Sequence, residues 1–120
     1  MEHLTNLFKA LSDETRLRIV HALSYRDLCV CEMTTLFDEP QPKISKHLSK
    51  LKDLGLVQTA RQDKYMVYTL NQDQTLLRGV MDLMMNESSK DSLLLRDQTH
   101  LNTPALWACI GVERSLEATK

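Results

Sequence analysis

A chain of 120 residues with 42% hydrophobic and 26% charged side chains, three glycines and three prolines has room for one cored domain, and its composition excludes a disordered or fibrous protein. The formal net charge of −1 argues at first against a nucleic-acid partner, because affinity for DNA comes largely from lysines and arginines that neutralise phosphates. The distribution of charge reverses that inference: residues 41–66 hold six basic and two acidic side chains, while the segments on either side are net acidic.

Leu4, Leu7, Phe8 and Leu11 recur at the spacing of one helix face, which predicts a short amphipathic helix ending near Ser12. Ser12 is expected to cap the next helix, with Asp13 and Glu14 in its first turn and Leu17, Val20 and Leu23 as its buried stripe. A third helix is expected from Val30 to Phe37, burying Met33, Leu36 and Phe37.

Asp38-Glu39-Pro40-Gln41-Pro42 forces a turn, since proline disfavours helical geometry in the residue before it yet fits a helix's first turn. A fourth helix begins there, with Ile44, Leu48 and Leu51 inward, Lys43, Lys46, His47 and Lys50 on the remaining surface, and Gly55 as its stop. The period then changes: Val57 to Gln62 and Tyr65 to Leu70 form a hairpin around Asp63-Lys64.

Thr75 to Asn86 presents Leu76, Leu77, Val80, Leu83 and Met84, an apolar face broad enough to want a second copy of the chain against it. Ser88-Ser89-Lys90-Asp91 reads either as a break or as a polar turn of a continuing helix, and Thr103-Pro104 opens a final helix carrying Leu106, Cys109, Ile110 and Leu116. The expected fold is mainly α with a small β-hairpin wing (α+β). Residues 1–87 are its winged helix-turn-helix and helical dimer interface, and 88–120 a helical extension of the same domain.

Two short helices, a tight turn, a basic helix and a hairpin follow one another in the order of a winged helix-turn-helix. A basic helix of this kind fits the major groove, where side chains near its N-terminal half reach base edges. Gln41, Lys43, Ser45, Lys46 and His47 are therefore the candidates for base and phosphate contact, with Lys50 on phosphate and Arg61, Lys64 and Tyr65 of the wing on backbone or minor groove. A lysine-rich helix face taken by itself is more often simply solvated; the turn and hairpin beside it favour DNA.

Phe8-Lys9-Ala10-Leu11-Ser12-Asp13-Glu14-Thr15-Arg16, then Leu28-Cys29-Val30-Cys31-Glu32, then Gln41-Pro42-Lys43-Ile44-Ser45-Lys46-His47-Leu48 and Gly55-Leu56-Val57, make the chain resemble the arsenical-resistance repressor (ArsR-type) family over about residues 4 to 72. The resemblance implies a homodimeric winged-helix repressor that leaves double-stranded operator DNA when it binds trivalent arsenic or antimony as inducer.

Soft thiolates select soft ions, so Cys29 and Cys31 suit arsenite or antimonite better than magnesium or calcium. Residues i and i+2 of a regular helix lie about 200° apart around the axis, so gripping one ion requires the start of the third helix to unwind. The competing reading makes one of the pair, Cys31 above all, a packed core cysteine. The family's three-thiol site continues Cys-x-Cys-x-x-Cys, and Thr34 stands at the third position here. Cys109 is the remaining thiol and a candidate third metal ligand, or else a core residue of the last helix.

A related branch of the family senses zinc through Asp and His on the long dimer helix; Asp82, Glu87, Asp91, Asp97 and His100 lie in that stretch without the spacing such a site resembles. Thiol redox sensing, with Cys109 oxidised onto Cys29 or Cys31, is the other alternative. His21 is expected on a helix surface or as a satisfied helix residue. There is no glycine-rich phosphate loop, no nucleophile arranged with histidine and carboxylate, and no metalloprotease pattern, so neither an enzyme nor a catalytic cofactor is expected. No basic segment leads an apolar run at Met1-Glu2-His3-Leu4-Thr5, and no run of about 18 apolar residues occurs, so a cytoplasmic protein without a membrane partner is expected.

Overall fold

The computed structural model describes residues 1–63, 65–88 and 90–101. Lys64 of the expected wing tip, Cys109 and the helix expected after Thr103 lie outside the described residues. The elements run α1 (Glu2–Leu11), α2 (Glu14–Leu23), β1 (Leu28–Cys29), α3 (Val30–Phe37), α4 (Gln41–Asp53), β2 (Val57–Gln62), β3 (Tyr65–Leu70), α5 (Thr75–Ser88) and α6 (Ser92–His100).

The helices pack through the residues whose period marks them. Ile19 of α2, Met33 of α3 and Ile44, Leu48 and Leu51 of α4 are all fully buried in one core, joined by Leu28 of β1, Leu77 of α5 and Leu101 just after α6. Each such side chain contributes about 1.5–3 kcal/mol on leaving water, which is ample to fix the orientation of helices this short. Gly55 takes φ +75°, the left-handed geometry that closes α4 and lets Asn71 Nδ2 donate to its carbonyl at 2.9 Å.

The sheet is antiparallel with strand order β1-β3-β2. The hairpin pairs Val57 with Leu70 and Gln62 with Tyr65, and the tip turns through Asp63 at φ +57°. β1 adds only Leu28 opposite Tyr68 and Cys29 opposite Val67. Two residues are too few to display a period, which is why this strand is absent from the sequence reading.

Two further points differ from expectation, and one open alternative is decided. The cap of α2 is Asp13, whose carboxylate accepts the Arg16 N–H at 3.0 Å, and not Ser12, which is the C-terminal cap of α1 and turns its hydroxyl back to the Lys9 carbonyl at 2.7 Å. α5 ends at Ser88 and Asp91 caps a separate α6 by accepting from the N–H groups of Leu93 and Leu94, so of the two readings of this stretch the break is the one observed. His21 is 1% exposed in the core, not on a surface, and neither ring nitrogen has a hydrogen-bond partner among the described residues. Among those residues no helix is long and apolar enough to cross a membrane.

Candidate nucleic-acid interface and thiol site

α3 ends at Asp38, whose φ of +55° swings the chain out of the helix while its N–H stays bonded to the Thr34 carbonyl. Three residues later Gln41 opens α4, with extended Pro40 at the cap and Pro42 in the first turn, where its missing N–H costs nothing. Because Ile44, Leu48 and Leu51 are all turned into the core, the opposite face of α4 must carry Lys43, Lys46 and Lys50, and all three are exposed, as is Gln41 at the first residue of the helix. Ser45 is half-buried at the edge of this face.

Lys43 is shared with the preceding turn: its Nζ lies 3.0 Å from Glu39 Oε2 one helical turn away. His47 is placed differently from the lysines. Its side chain is 18% exposed and turns towards α2, with Nε2 3.8 Å from the capping carboxylate of Asp13. Burial pushes the Asp13 carboxyl up, but the bond from the Arg16 N–H and the neighbouring His47 and Arg16 charges outweigh it and hold the group below its ordinary value.

On the wing, Arg61 is exposed and donates from Nε to the Asp63 carbonyl at 3.2 Å, closing the hairpin tip. Tyr65 is half-buried opposite Gln62. Lys52 Nζ reaches Thr59 Oγ1 at 3.4 Å, tying the end of α4 to β2, so helix and wing present their cations from one connected surface.

The two cysteines sit in different environments on either side of the α3 start. Cys29 is 2% exposed, ends β1 with φ −93° and ψ 167°, and occupies the cap position of α3; Cys31 is the second helical residue and half-buried. The two are not joined to each other by a disulfide. The opposite-faces rule therefore applies from Val30 onward, and Cys29 is separated from Cys31 by the step from strand to helix. Thr34 turns its hydroxyl to the Cys31 carbonyl at 2.8 Å, and Thr35 does the same at 3.2 Å, so the hydroxyl at the third family position is engaged with backbone.

Sequence reasoning passed over the side chain that organises this helix start. Glu32 is fully buried and its Oε1 accepts the Cys29 N–H at 3.0 Å, while Oε2 accepts from Arg26 Nη2 at 2.8 Å. The signal was available: a cap residue followed by glutamate three positions later is the spacing of a capping box, here with cysteine in place of serine or threonine.

Comparison with known proteins agrees with this architecture. The family described as "Bacterial regulatory protein, arsR family" matches residues 13–59, from the α2 cap into β2. The chain is 34% identical over 97 residues to the arsenic resistance transcriptional regulator ArsR1 of Pseudomonas putida, covering 76% of each chain. The chain belongs to the ArsR family. It is 50% identical over 66 residues to the arsenical resistance operon repressor of Escherichia coli, a stretch that spans 56% of that repressor and 54% of this chain. A cadmium resistance regulatory protein of Listeria innocua is 39% identical over 84 residues, or 69% of each. Among solved structures, HlyU of Vibrio cholerae superposes with a TM-score of 0.66 at 29% identity, covering 71% of this chain and 90% of that one. The transcriptional repressor BigR of Xylella fastidiosa gives 0.59 at 28%, covering 68% and 86%. In this ArsR-family winged helix, α3 and α4 are the helix-turn-helix and β2–β3 the wing.

Proposed function

We propose that the chain is a homodimeric transcriptional repressor that binds operator DNA through α4 and the wing and leaves it when trivalent arsenic or antimony is bound by the thiolates of Cys29 and Cys31. The observation that carries this reading is the position of the two cysteines at the start of α3, the helix whose other end passes through the Asp38 turn into α4. An ion that draws both sulfurs together disturbs the start of α3, and a short, tightly packed helix transmits that disturbance to α4 as a shift of the whole element.

Gln41, Lys43, Ser45, Lys46 and Lys50 reach the major groove, with Arg61, Lys64 and Tyr65 of the wing on the adjacent backbone. His47 acts mainly through Asp13, holding α4 against α2. Cys109 is a candidate third thiolate, since the Thr34 hydroxyl is already committed. The homodimer forms over the apolar side chains left in solvent on α1 and α5, chiefly Phe8 (56% exposed) and Leu83 (70%). A zinc site on the C-terminal helices fits less well, because Asp91 caps α6 and Asp97 is fully buried in an ion pair with Arg18.

The deciding experiment is fluorescence anisotropy of the reduced protein on a labelled duplex from its own promoter, titrated with arsenite, antimonite or cadmium, beside Cys29→Ser/Cys31→Ser. Release of wild type by arsenite with retention of the double variant is the expected result. Retention of both proteins on DNA would leave the winged helix standing and remove the thiol site. Release by peroxide without any metal ion would replace metalloid sensing with redox sensing.

A further inference from the structure

The buried pair Arg26 and Glu32 has no part in contacting DNA or in supplying a thiolate, yet it is bonded to the backbone of Cys29, one of the two proposed inducer ligands. Glu32 is fully buried one turn into α3 and spends its two carboxylate oxygens in two directions. Oε1 accepts the Cys29 N–H at 3.0 Å, fixing the junction of β1 and α3; Oε2 accepts from Arg26 Nη2 at 2.8 Å, in the loop between α2 and β1. The remaining buried donors of Arg26, Nε and Nη1, have no hydrogen-bond partner among the described residues, so Glu32 is the group that holds this guanidinium in place. Withdrawing the carboxylate would strand a largely buried cation, an outcome folded proteins resist strongly.

We infer that Arg26 and Glu32 form a latch that holds the Cys29–Cys31 segment in its inducer-free conformation and so sets the inducer concentration at which the repressor releases DNA. This inference rests on the metalloid-sensing reading above and assigns regulation to the same site. Cys29 is 2% exposed at the step from strand to helix while Cys31 is half-buried in the first turn of α3, so bringing both sulfurs onto one ion shifts the backbone at Cys29, and that motion separates the Cys29 N–H from Glu32. The free energy of inducer binding is therefore reduced by the cost of breaking a charge-assisted hydrogen bond anchored by an ion pair. Both residues are positioning residues: they act through the backbone of Cys29 and touch neither the ion nor the DNA.

The test uses the full-length reduced protein and two variants. Glu32→Gln keeps an acceptor for the Cys29 N–H and loses the ion pair; Glu32→Ala loses both. Amide hydrogen exchange without inducer should quicken at Cys29 to Met33 by about threefold in the first and about tenfold or more in the second, with exchange in α4 unchanged. The arsenite concentration for half-release from the duplex should fall in the same order. A merely structural glutamate would give a different pattern, with α3 and α4 exchanging faster together and DNA affinity falling without any gain in arsenite sensitivity; that result overturns the latch. If Glu32→Ala does not fold, Glu32→Gln alone decides. If arsenite fails to release wild type, the functional reading falls by itself, and the exchange rates still show whether the latch holds Cys29.

Discussion

Asp97 of α6 is fully buried against Arg18 of α2, 79 residues earlier, which donates to it twice: Nε to Oδ2 at 2.8 Å and Nη2 to Oδ1 at 2.9 Å. The same guanidinium lies 5.0 Å from the centre of the Phe37 ring at the end of α3, so one arginine joins α2, α3 and α6. The Asp97 hydrogen bonds, against the opposing effect of burial, raise the Arg18 pKa above its ordinary value and keep it charged. Asp97→Ala leaves that charge buried without its partner and is expected to cost about 3 kcal/mol in urea unfolding. Arg18→Met/Asp97→Leu, which replaces the pair with apolar volume, should recover most of the loss. A cost below about 1 kcal/mol for Asp97→Ala would show that Arg18 regains water or another partner once Asp97 is gone, and that the pair does not hold a stranded charge.

His21 gives the protein a pH dependence of opposite origin. Burial lowers its pKa from the ordinary 6.5, outweighing the opposing charges of Asp97 and Asp91, while its ring packs edge-on to Tyr25 at 5.2 Å. The native state therefore holds the neutral ring, and the unfolded chain takes up the proton first as pH falls. Stability should be full above pH 6.5 and decline below it, with this residue adding up to about 1.4 kcal/mol per pH unit to the slope. His21→Phe should remove that contribution between pH 6.5 and 5. The lowered carboxyl of Asp13 acts in a separate window, since its stabilisation is present above its ordinary pKa of 3.8 and is lost as the pH falls beneath it.

These two residues also mark where sequence reading reached its limit. α3 and the hairpin were legible because their apolar period is local, and α4 because the turn before it is built from prolines. Asp97 and His21 are polar residues in the core, and their environments are made by chain segments far away in sequence, which no local period reports. α6 escaped for a related reason: Leu93, Leu94 and Leu95 run together without a clean stripe, and the residue of this helix that is fully buried is the aspartate. At the thiol site the cysteines were legible by spacing and chemistry, whereas the burial of Glu32 against Arg26 is set by packing that the capping-box spacing alone does not report.

The DNA face separates into residues with distinct expected signatures. Lys46 is exposed on the face of α4 that carries Lys43 and Lys50, so Lys46→Ala should weaken binding to operator and unrelated duplex alike and reduce the salt slope by about 1. Gln41→Ala should instead narrow the difference between operator and unrelated sequence, as expected for a base contact. His47→Ala should lower affinity without altering the salt slope, because its side chain is directed at Asp13 and not at phosphate. Competition titrations at several salt concentrations distinguish all three.

A phenylalanine and a leucine in solvent on separate helices are a cost that a second copy can remove. Phe8→Glu or Leu83→Glu places a charge on the proposed interface while altering side chains that are already mostly exposed, so folding of the monomer should be little affected. Sedimentation equilibrium should show either substitution shifting dimer to monomer, and operator affinity should fall with it because a paired operator rewards two linked readers. A variant that stays dimeric would place the interface elsewhere.

Thr34 lies one helical turn beyond Cys31, on the same side of α3, with its hydroxyl bonded to the Cys31 carbonyl at 2.8 Å. Thr34→Cys removes that bond and places a third thiol at the spacing of the family's three-cysteine site. Because trivalent arsenic prefers thiolate to a hydroxyl ligand, the substitution should tighten arsenite binding by about tenfold, equivalent to about 1.4 kcal/mol, if the natural site has two thiolates. If Cys109 already supplies the third, Thr34→Cys should change little and Cys109→Ser should weaken the arsenite response. Half-release concentrations for the two variants, measured side by side on the same duplex, therefore count the thiolates that bind the ion. No change in either would mean that Cys29 and Cys31 suffice and that a third thiolate adds nothing.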